Sequence, residues 1–283
     1  TCTAPPVPHT QSSYDTKLNS DGTEAAMTGL GATFYSSGDM AGRPSSQATE
    51  IVSGSFARAW GTGGPTGVAN TDNWSVQYTG EIYLPDAGSW GFWIQTIDAT
   101  DKAALYIDDR PVITLRAGDY WGPSHYVSSG AVAGTLTAGW HKIRLQFFET
   151  TGEALVALYW NRPNVGAEFV DGSNLRPAYG LATRTRTYGS ATVPDQVTHT
   201  RYDEGIDPAY GLATSTIQDP QGLALKTSFT YDTTLRRRLT KSLPAGGVTT
   251  YTYYGNTEQS SGAITCADNT TIAGGINQAG RLW

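Results

Sequence analysis

Residues 73–108 read NWSVQYTGEIYLPDAGSWGFWIQTIDATDKAALYID and contain the clearest structural pattern in the chain. Apolar and polar residues alternate through the first part of this stretch. The apolar positions are Trp74, Val76, Tyr78, Ile82 and Leu84. A period of two is typical of a strand that buries one face. The stretch therefore predicts β-sheet rather than helix.

Turn-forming residues follow the first strand at Pro85–Gly88, and the alternation then resumes. This arrangement predicts a β-hairpin. Residues 105–107 predict a third strand, with a tight turn at Asp108 and Asp109 behind it. Trp74 and Trp90 fall on the apolar side of the alternation, as does Trp160 further along, so all three are predicted to lie in the core.

Composition limits the classes of function that the chain can have. Its 283 residues are enough for two domains, and charged residues make up only 16%. The net charge of −6 argues against a nucleic-acid partner, because binding to phosphates requires clustered Lys and Arg. No apolar run approaches the roughly 20 residues that a membrane-spanning helix needs. Abundant glycine and aromatic residues favour an all-β protein of the extracellular type.

The order of elements in residues 73–108 resembles the central portion of a PA14 domain. Similar blocks occur upstream at residues 29–35 and downstream at residues 134–145 and 158–160. The resemblance covers residues 28–165 and implies a β-sandwich of the kind found in secreted and cell-surface proteins. Many such domains are carbohydrate-binding modules, so the resemblance implies a glycan as the ligand.

The second part of the chain repeats itself. Residues 178–183, AYGLAT, return at 209–214, and each copy is followed by a Thr-rich segment that ends in Tyr-Asp, at residues 202–203 and 231–232. A degenerate third copy runs through residues 239–254. Spacings of about 30 residues indicate a repeat array. The pattern resembles the YD (or RHS) repeats of large secreted bacterial polypeptides, which implies β-hairpins belonging to a larger sheet and a chain that is a fragment of a longer protein.

The predicted organisation has three parts: an extended lead-in segment at 1–27, a PA14-like sandwich at 28–165 and a YD-repeat β segment at 166–283. The small polar residues of 36–50 predict a loop, and 164–176 a linker. The lead-in is expected to pair with strands elsewhere, because its Ser-Tyr-Asp at 13–15 echoes the repeats. We expect the sandwich to fold alone, whereas 170–283 would keep open strand edges and be unstable in isolation.

No motif in the sequence predicts catalysis. The four histidines are scattered, and no Gly-x-Ser-x-Gly elbow or phosphate-binding glycine loop occurs. The paired carboxylates Asp108 and Asp109 sit in a turn, where aspartate is favoured for backbone hydrogen bonding alone. We therefore expect a protein that is not an enzyme.

The acidic loop at residues 98–101 is the main candidate site. In lectin-type PA14 domains two adjacent aspartates at this place hold a Ca²⁺ that also binds sugar hydroxyls. The paired positions here are Thr100 and Asp101, followed by Lys102, so one carboxylate of the pattern is missing. Asp98 could replace it, which makes Asp98 and Asp101 the candidate metal ligands and Ca²⁺ the candidate cofactor. The alternative is a polar turn without metal.

Aromatic residues supply the second half of the candidate site, because flat rings stack on sugar faces. Residues 117–126 predict a long loop that carries Asp119, Tyr120, Trp121 and His125. Together with Asp98 and Asp101 these residues would line a shallow pocket at one end of the sandwich.

The sequence thus predicts a non-catalytic, extracellular carbohydrate-binding module carried on a YD-repeat scaffold. Its partners would be a glycan or cell-surface polysaccharide and the rest of a larger YD-repeat polypeptide. An alternative remains: a structural piece of a toxin-encapsulating or adhesive YD-repeat shell that binds no glycan.

Cys2 and Cys266 are the only cysteines, and they lie in the two segments that flank the sandwich. In a secreted protein we expect neither to be a free thiol: they could pair with each other, because an uninterrupted repeat array would bring these segments together, or each could pair with a residue beyond the given sequence. On the chain-entropy model, closing so long a loop would stabilise the fold by about 4 to 5 kcal/mol. Thiol titration of the unreduced protein should find no free cysteine; titratable thiols would contradict the pairing.

Overall fold

The alternating stretch forms a ten-residue strand, Ser75–Leu84, inside a large antiparallel sheet. The structure, a computed structural model, describes residues 9–19, 22–121, 124–128, 135–163, 165–190, 192–253, 264–265 and 271–272. These residues form strands and two short 3-10 helices, which confirms the predicted all-β class. Among the same residues, no helix has the length and apolar character needed to cross a membrane.

The chain divides into two compact units, residues 1–197 with 207–212 and residues 198–206 with 213–283. The strands up to residue 187 are β1 (Thr10–Tyr14), β2 (Thr16–Leu18), β3 (Glu24–Ala26), β4 (Leu30–Tyr35), β5 (Ser46–Glu50), β6 (Ala57–Gly61), β7 (Ser75–Leu84), β8 (Gly91–Thr96), β9 (Lys102–Ile107), β10 (Arg110–Ala117), β11 (Asp119–Trp121), β12 (Ser124–Ser128), β13 (Gly139–Phe148), β14 (Ala154–Arg162), β15 (Gly166–Phe169), β16 (Leu175–Arg176) and β17 (Ala182–Thr187). The later strands are β18 (Gln196–Arg201), β19 (Ser215–Gln218), β20 (Leu225–Tyr231), β21 (Arg238–Ser242), β22 (Val248–Thr250), β23 (Ile264–Thr265) and β24 (Thr271–Ile272). The 3-10 helices are Gly172–Asn174 and Pro208–Tyr210.

Two antiparallel sheets form the sandwich of the first unit. The first sheet has the order β10-β9-β13-β7-β4-β5, with β16 also paired to β7. The second sheet has the order β11-β12-β8-β14-β15, with β6 also paired to β14. Inward residues of both sheets form one apolar core, as expected of a sandwich. Trp74, Trp90 and Trp160 are all buried in it, which confirms their predicted place.

The connection after β7 differs from the prediction. β7 pairs with β4, β13 and β16, whereas β8 pairs with β12 and β14, so the two are not partners in a hairpin. Residues 85–90 instead carry the chain from the first sheet to the second. Alternation identifies a strand with one buried face, but it does not reveal whether the next strand pairs beside it or packs across the core.

The segment predicted to be a linker, residues 164–176, belongs to the sandwich. β15 pairs with the end of β14, and β16 pairs with Ile82 and Glu81 of β7. Val170 and Leu175 are fully buried in the core. Because Val170 and Leu175 are buried, the core extends beyond residue 165. Alternation did not predict this, since many of the residues around these two are small or polar.

Residues 36–50 were also predicted to form a loop, but 46–50 form the edge strand β5. Its exposed edge is covered by side chains from both AYGLAT copies and the residues before them. The backbone N–H of Gln47 donates to the Tyr210 hydroxyl at 3.1 Å, and that of Thr49 donates to Asp207 Oδ2 at 2.9 Å. The Tyr179 hydroxyl lies 2.8 Å from Thr49 Oγ1. These bonds satisfy edge groups that would otherwise invite pairing with another chain.

The lead-in segment pairs with a strand from the second part of the sequence, as expected. β1 is antiparallel to β17, and Asp15 accepts hydrogen bonds from the backbone N–H groups of Gly180 and Leu181. Residues 1–8 and 266–270 lie outside the described residues, so the pairing of Cys2 with Cys266 stays a prediction.

The second unit contains consecutive antiparallel strands. β18 pairs with β19, β19 with β20, β20 with β21 and β21 with β22. Two tyrosines of this unit bond to backbone carbonyls of earlier strands or turns. The Tyr231 hydroxyl donates to Ala213 O at 2.7 Å, and the Tyr253 hydroxyl donates to Arg238 O at 2.9 Å.

Burial of Leu175 leads to a prediction about the extent of the sandwich. Leu175→Ala should lower the free energy of unfolding by about 2–5 kcal/mol, because it leaves a cavity in the core. Leu115→Ala is the matched control, since Leu115 lies on β10 with 49% of its surface exposed and should change stability by about 0.5 kcal/mol or less. Urea unfolding of the full chain measures both. Equal effects would show that residue 175 does not belong to the core.

Candidate functional site

The acidic loop connects the two sheets at one end of the sandwich. It leaves β8 in the second sheet and enters β9 in the first. Asp98 Oδ1 accepts hydrogen bonds from the backbone N–H of Thr100 at 2.8 Å and from its hydroxyl at 2.7 Å. This Asx turn fixes the loop without help from a ligand and places Asp101 directly before β9.

The Asp101 carboxyl group is completely buried. Its Oδ1 accepts a hydrogen bond from the backbone N–H of Thr150 at 3.0 Å, while Oδ2 has no hydrogen-bond partner among the described residues. Burial raises the pKa of Asp101 to about 7, against the lowering effect of the Thr150 N–H. Nearby Glu149 and Asp98 also raise this pKa. Asp101 is therefore a carboxyl group that lacks a partner for its charge.

Glu149 is a second buried carboxyl group, which the sequence reasoning missed. Only 1% of the residue is exposed, and neither carboxylate oxygen has a hydrogen-bond partner in the described part of the chain. Burial is the main cause that raises the pKa of Glu149, and Asp72 and Asp98 add to it, against the lowering effect of the backbone N–H groups of Asn73 and Trp74. A signal existed: Glu149 follows Ile143, Leu145 and Phe147 at the next inward position of the same alternation.

The loop at residues 149–153 lies against the acidic loop. Thr150 Oγ1 donates to the carbonyl oxygen of Thr100 at 3.1 Å, in addition to the backbone bond to Asp101. A Cβ atom at Gly152 would lie 2.9 Å from Asp98 Oδ2, so glycine is what allows this approach. The two loops thus gather Asp98, Asp101 and Glu149 at one end of the sandwich.

Residues 119–121 and 124–128 form two paired strands where a long loop was predicted. β11 pairs with β12, and β12 extends the second sheet by pairing with β8. Gln95 Nε2 of β8 donates to Ser124 Oγ at 2.9 Å and holds the hairpin in place. The strand was hidden because Gly122 and Pro123 interrupt a pattern that is already short.

The β11–β12 hairpin brings two of the predicted ligand-binding residues, Tyr120 and His125, to the acidic loop. His125 Nδ1 lies 3.2 Å from the carbonyl oxygen of Ile97, the residue before Asp98. The Tyr120 ring lies 5.4 Å from the His125 ring, and 72% of Tyr120 is exposed. Asp119 points to the opposite face of β11, because consecutive residues of a strand alternate, and its carboxylate lies 3.4 Å from Arg116 Nη1. Trp121 pairs with Ser124 in the hairpin, and its side chain lies outside the described residues.

Oxygen atoms alone make up the carboxyl cluster, which is the donor chemistry that Ca²⁺ requires. Within the described ranges, no group of three or more His, Cys, Asp or Glu side chains is already arranged to hold a metal ion. Asp101 Oδ2 and the two Glu149 oxygens are the acceptors still free for a cation. The donor set therefore fits Ca²⁺ chemically, whereas the positions of the side chains form no finished coordination sphere.

The raised pKa of Asp101 predicts a pH dependence of stability. The folded state keeps its proton up to about pH 7, whereas the ordinary pKa is 3.8. Between these values the folded state binds more protons, so the free energy of unfolding should fall as the pH rises, by up to about 4 kcal/mol from this group. Asp101→Asn should flatten the slope, as urea unfolding at pH 4.5 and pH 7.5 would measure. Asp119→Asn, at an exposed carboxylate, should keep the wild-type slope; identical slopes in all three proteins would contradict the assignment.

A comparison with protein families matches the PA14 domain over residues 27–173. Among solved structures, an anti-sigma factor domain-containing protein from Clostridium clariflavum is 18% identical, with a TM-score of 0.43; the match covers 62% of this chain and 69% of that one. The PA14 sugar-binding domain from an RTX adhesin is 13% identical, with a TM-score of 0.42, over 54% of this chain and 100% of that one. The epithelial adhesin 6 A domain from Candida glabrata, solved with Galb1-3GlcNAc, is 11% identical, with a TM-score of 0.40, over 59% and 94%. No curated protein matches the sequence.

The family match spans just over half of the chain and covers most of the sandwich, ending inside the 3-10 helix Gly172–Asn174 and before β16. It also contains every residue of the candidate site. Through residues 27–173, the chain belongs to the PA14 domain family.

Proposed function

We propose that the PA14 domain binds carbohydrate at the end of the sandwich where the acidic loop, the 149–153 loop and the β11–β12 hairpin meet. The observation that supports this most directly is the pair of buried carboxyl groups, Asp101 and Glu149, because Asp101 Oδ2 and both Glu149 oxygens have no hydrogen-bond partner in the described part of the chain. Buried carboxylates normally have charged or hydrogen-bonding partners, so this end of the domain favours a ligand that supplies them.

Ca²⁺ is the cofactor that suits these groups. Asp101 and Glu149 would hold the ion, with Asp98 next to them on the loop. When bound, Ca²⁺ would supply positive charge and coordination positions for sugar hydroxyls. Binding would also displace the proton from Asp101, so affinity for Ca²⁺ should be higher at pH 8 than at pH 6.

The hairpin would supply the apolar contact. The exposed Tyr120 ring offers a face for a sugar ring. The Tyr120 ring packs against His125, whose ring nitrogen contacts the Ile97 carbonyl oxygen. Stacking of this kind excludes water from the CH groups of the sugar. Trp121 is a further candidate on the same short strand, whereas Asp119 points away from Tyr120 and would contribute only through Arg116. The domain would then act as a binding module without catalysis.

We further infer that the second part of the chain is a YD-repeat scaffold and that the protein works outside the cell, secreted or at the cell surface. The repeated AYGLAT segments and the tyrosine-to-carbonyl bonds of the second unit support the scaffold. The same observations favour the second candidate function: a structural piece of an adhesive or toxin-encapsulating shell, in which the PA14 domain binds no glycan.

A glycan array probed with the full chain, in Ca²⁺ and again in EDTA, separates the two functions. We expect binding that needs Ca²⁺ and that Glu149→Gln abolishes. Tyr120→Ala and Trp121→Ala should each weaken binding of the best glycan by about 1–3 kcal/mol, with little change in melting temperature. Tyr14→Ala, at an exposed tyrosine of β1, should bind as the wild type does.

An array without any glycan signal would support the structural shell instead. Loss of binding only together with loss of folding would place Tyr120 and Trp121 in the core and remove them from the site.

A further inference from the structure

A cavity of about 240 Å³ lies on the outer face of the first sheet, away from the loops of the proposed glycan site. The side chains that matter in its lining are those of Thr79, Tyr106, Asp109, Lys142 and Arg144. The proposed function uses none of them, and two of the five are cationic.

The cavity follows from the register of the sheet. Arg144 of β13 stands opposite Thr79 of β7 on one side and opposite Tyr106 of β9 on the other. Its neighbours Ile143 and Leu145 are in the core, so Arg144 projects outward. The chain after β16 crosses this face over Gly31, where a Cβ atom would lie 2.7 Å from Tyr179 Cε1, and Ala178 becomes one wall. The outward side chains of the sheet and the chain that crosses them together enclose the cavity.

Arg144 has unused hydrogen-bonding capacity. Its guanidinium carbon lies 4.0 Å from the centre of the Tyr106 ring, which holds the side chain in one orientation. Its Nε is buried without a hydrogen-bond partner, and Arg144 has no ion pair with any described residue. Arginine carries five N–H donors in a fixed fork that matches a carboxylate. An acceptor from outside the chain would satisfy them.

Lys142 and Asp109 stand at the rim of the cavity. Lys142 Nζ lies 3.4 Å from Asp109 Oδ2, with side chains that are 71% and 75% exposed, so the pair is weak and its members can bind elsewhere. Asp109 is nevertheless well placed, because it belongs to a two-residue turn whose φ angles are 50° at Asp108 and 62° at Asp109. Asp108 anchors that turn by accepting from the Lys142 N–H at 3.1 Å and contacting His141 Nδ1 at 2.7 Å.

We propose that this cavity binds one uronic acid unit of a glycan. Arg144 and Lys142 would donate to its carboxylate, and Asp109 and Thr79 would bind its hydroxyl groups. Two cations and one carboxylate leave a local charge of about +1, which complements a single carboxylate better than a doubly charged phosphate group. The ligand class rests on the proposed glycan-binding function; the anion site itself rests on Arg144 and Lys142.

Titration of the full chain with galacturonic acid and with galactose tests the proposal, because these sugars differ in the carboxylate. Galacturonate should bind, should bind more weakly as salt is added, and should shift the amide resonances of β9 and β13 in NMR spectra. Arg144→Gln should weaken it about ten- to a hundredfold, as expected for loss of hydrogen bonds to a charged group. Arg43→Gln, which removes the same charge from an exposed loop position, should leave affinity unchanged.

Equal binding of galactose and galacturonate, no binding of galacturonate, or unchanged affinity in Arg144→Gln would each overturn the proposal. If Arg144→Gln lowers the melting temperature, Lys142→Gln carries the test, because its side chain is exposed and its replacement should weaken binding several-fold without affecting folding. Asp101→Asn and Tyr120→Ala should leave galacturonate binding intact. Failure of the end site and failure of this cavity are therefore distinguishable.

Discussion

The sandwich depends on one constraint: the inward side chains of each sheet must be covered by the other, so the chain has to cross repeatedly between sheets. Two of these crossings, residues 97–101 and 149–153, lie side by side because β9 and β13 are neighbours in the first sheet and β8 and β14 in the second. Thr150 joins the crossings through its bonds to Thr100 and Asp101. The candidate site is thus a direct product of the packing that stabilises the fold.

The same packing buries two carboxyl groups that the fold itself does not need. Asp101 and Glu149 gain little from the described residues around them, because three of their four carboxyl oxygens have no hydrogen-bond partner there and burial raises both pKa values. A buried charge without a partner lowers stability. Leucine or glutamine would fill these positions at lower cost in free energy. Groups of this kind are typical of sites whose missing partner is a ligand.

Much of the fold could be predicted from local patterns, and the errors share a physical cause. Alternation found the buried faces of β7, β8 and β13 correctly, and the Asp108–Asp109 turn between β9 and β10 was also found. Alternation did not show whether the strand after β7 pairs beside it in the same sheet or lies in the opposite sheet, because β7 buries the same face in both arrangements. It missed β5, whose stability comes from the distant side chains of Asp207 and Tyr210. Glu149 was missed although it continues the inward alternation of β13, because local patterns do not show that it lies close to the acidic loop. The role of all six predicted site residues stays a prediction.

The two proposed sites differ in the charge of their side chains. The end of the sandwich gathers carboxyl groups in a chain whose net charge is already −6, so an acidic sugar would be repelled there unless a cation came first. The outer face presents Arg144 and Lys142, which attract an acidic sugar without any metal. Added salt would weaken binding at the exposed outer site through screening, whereas Ca²⁺ would strengthen binding at the end site by supplying the positive charge that the buried carboxyl groups lack. Under the two proposals, one small domain would bind neutral and acidic units of the same polysaccharide through opposite charges on different surfaces.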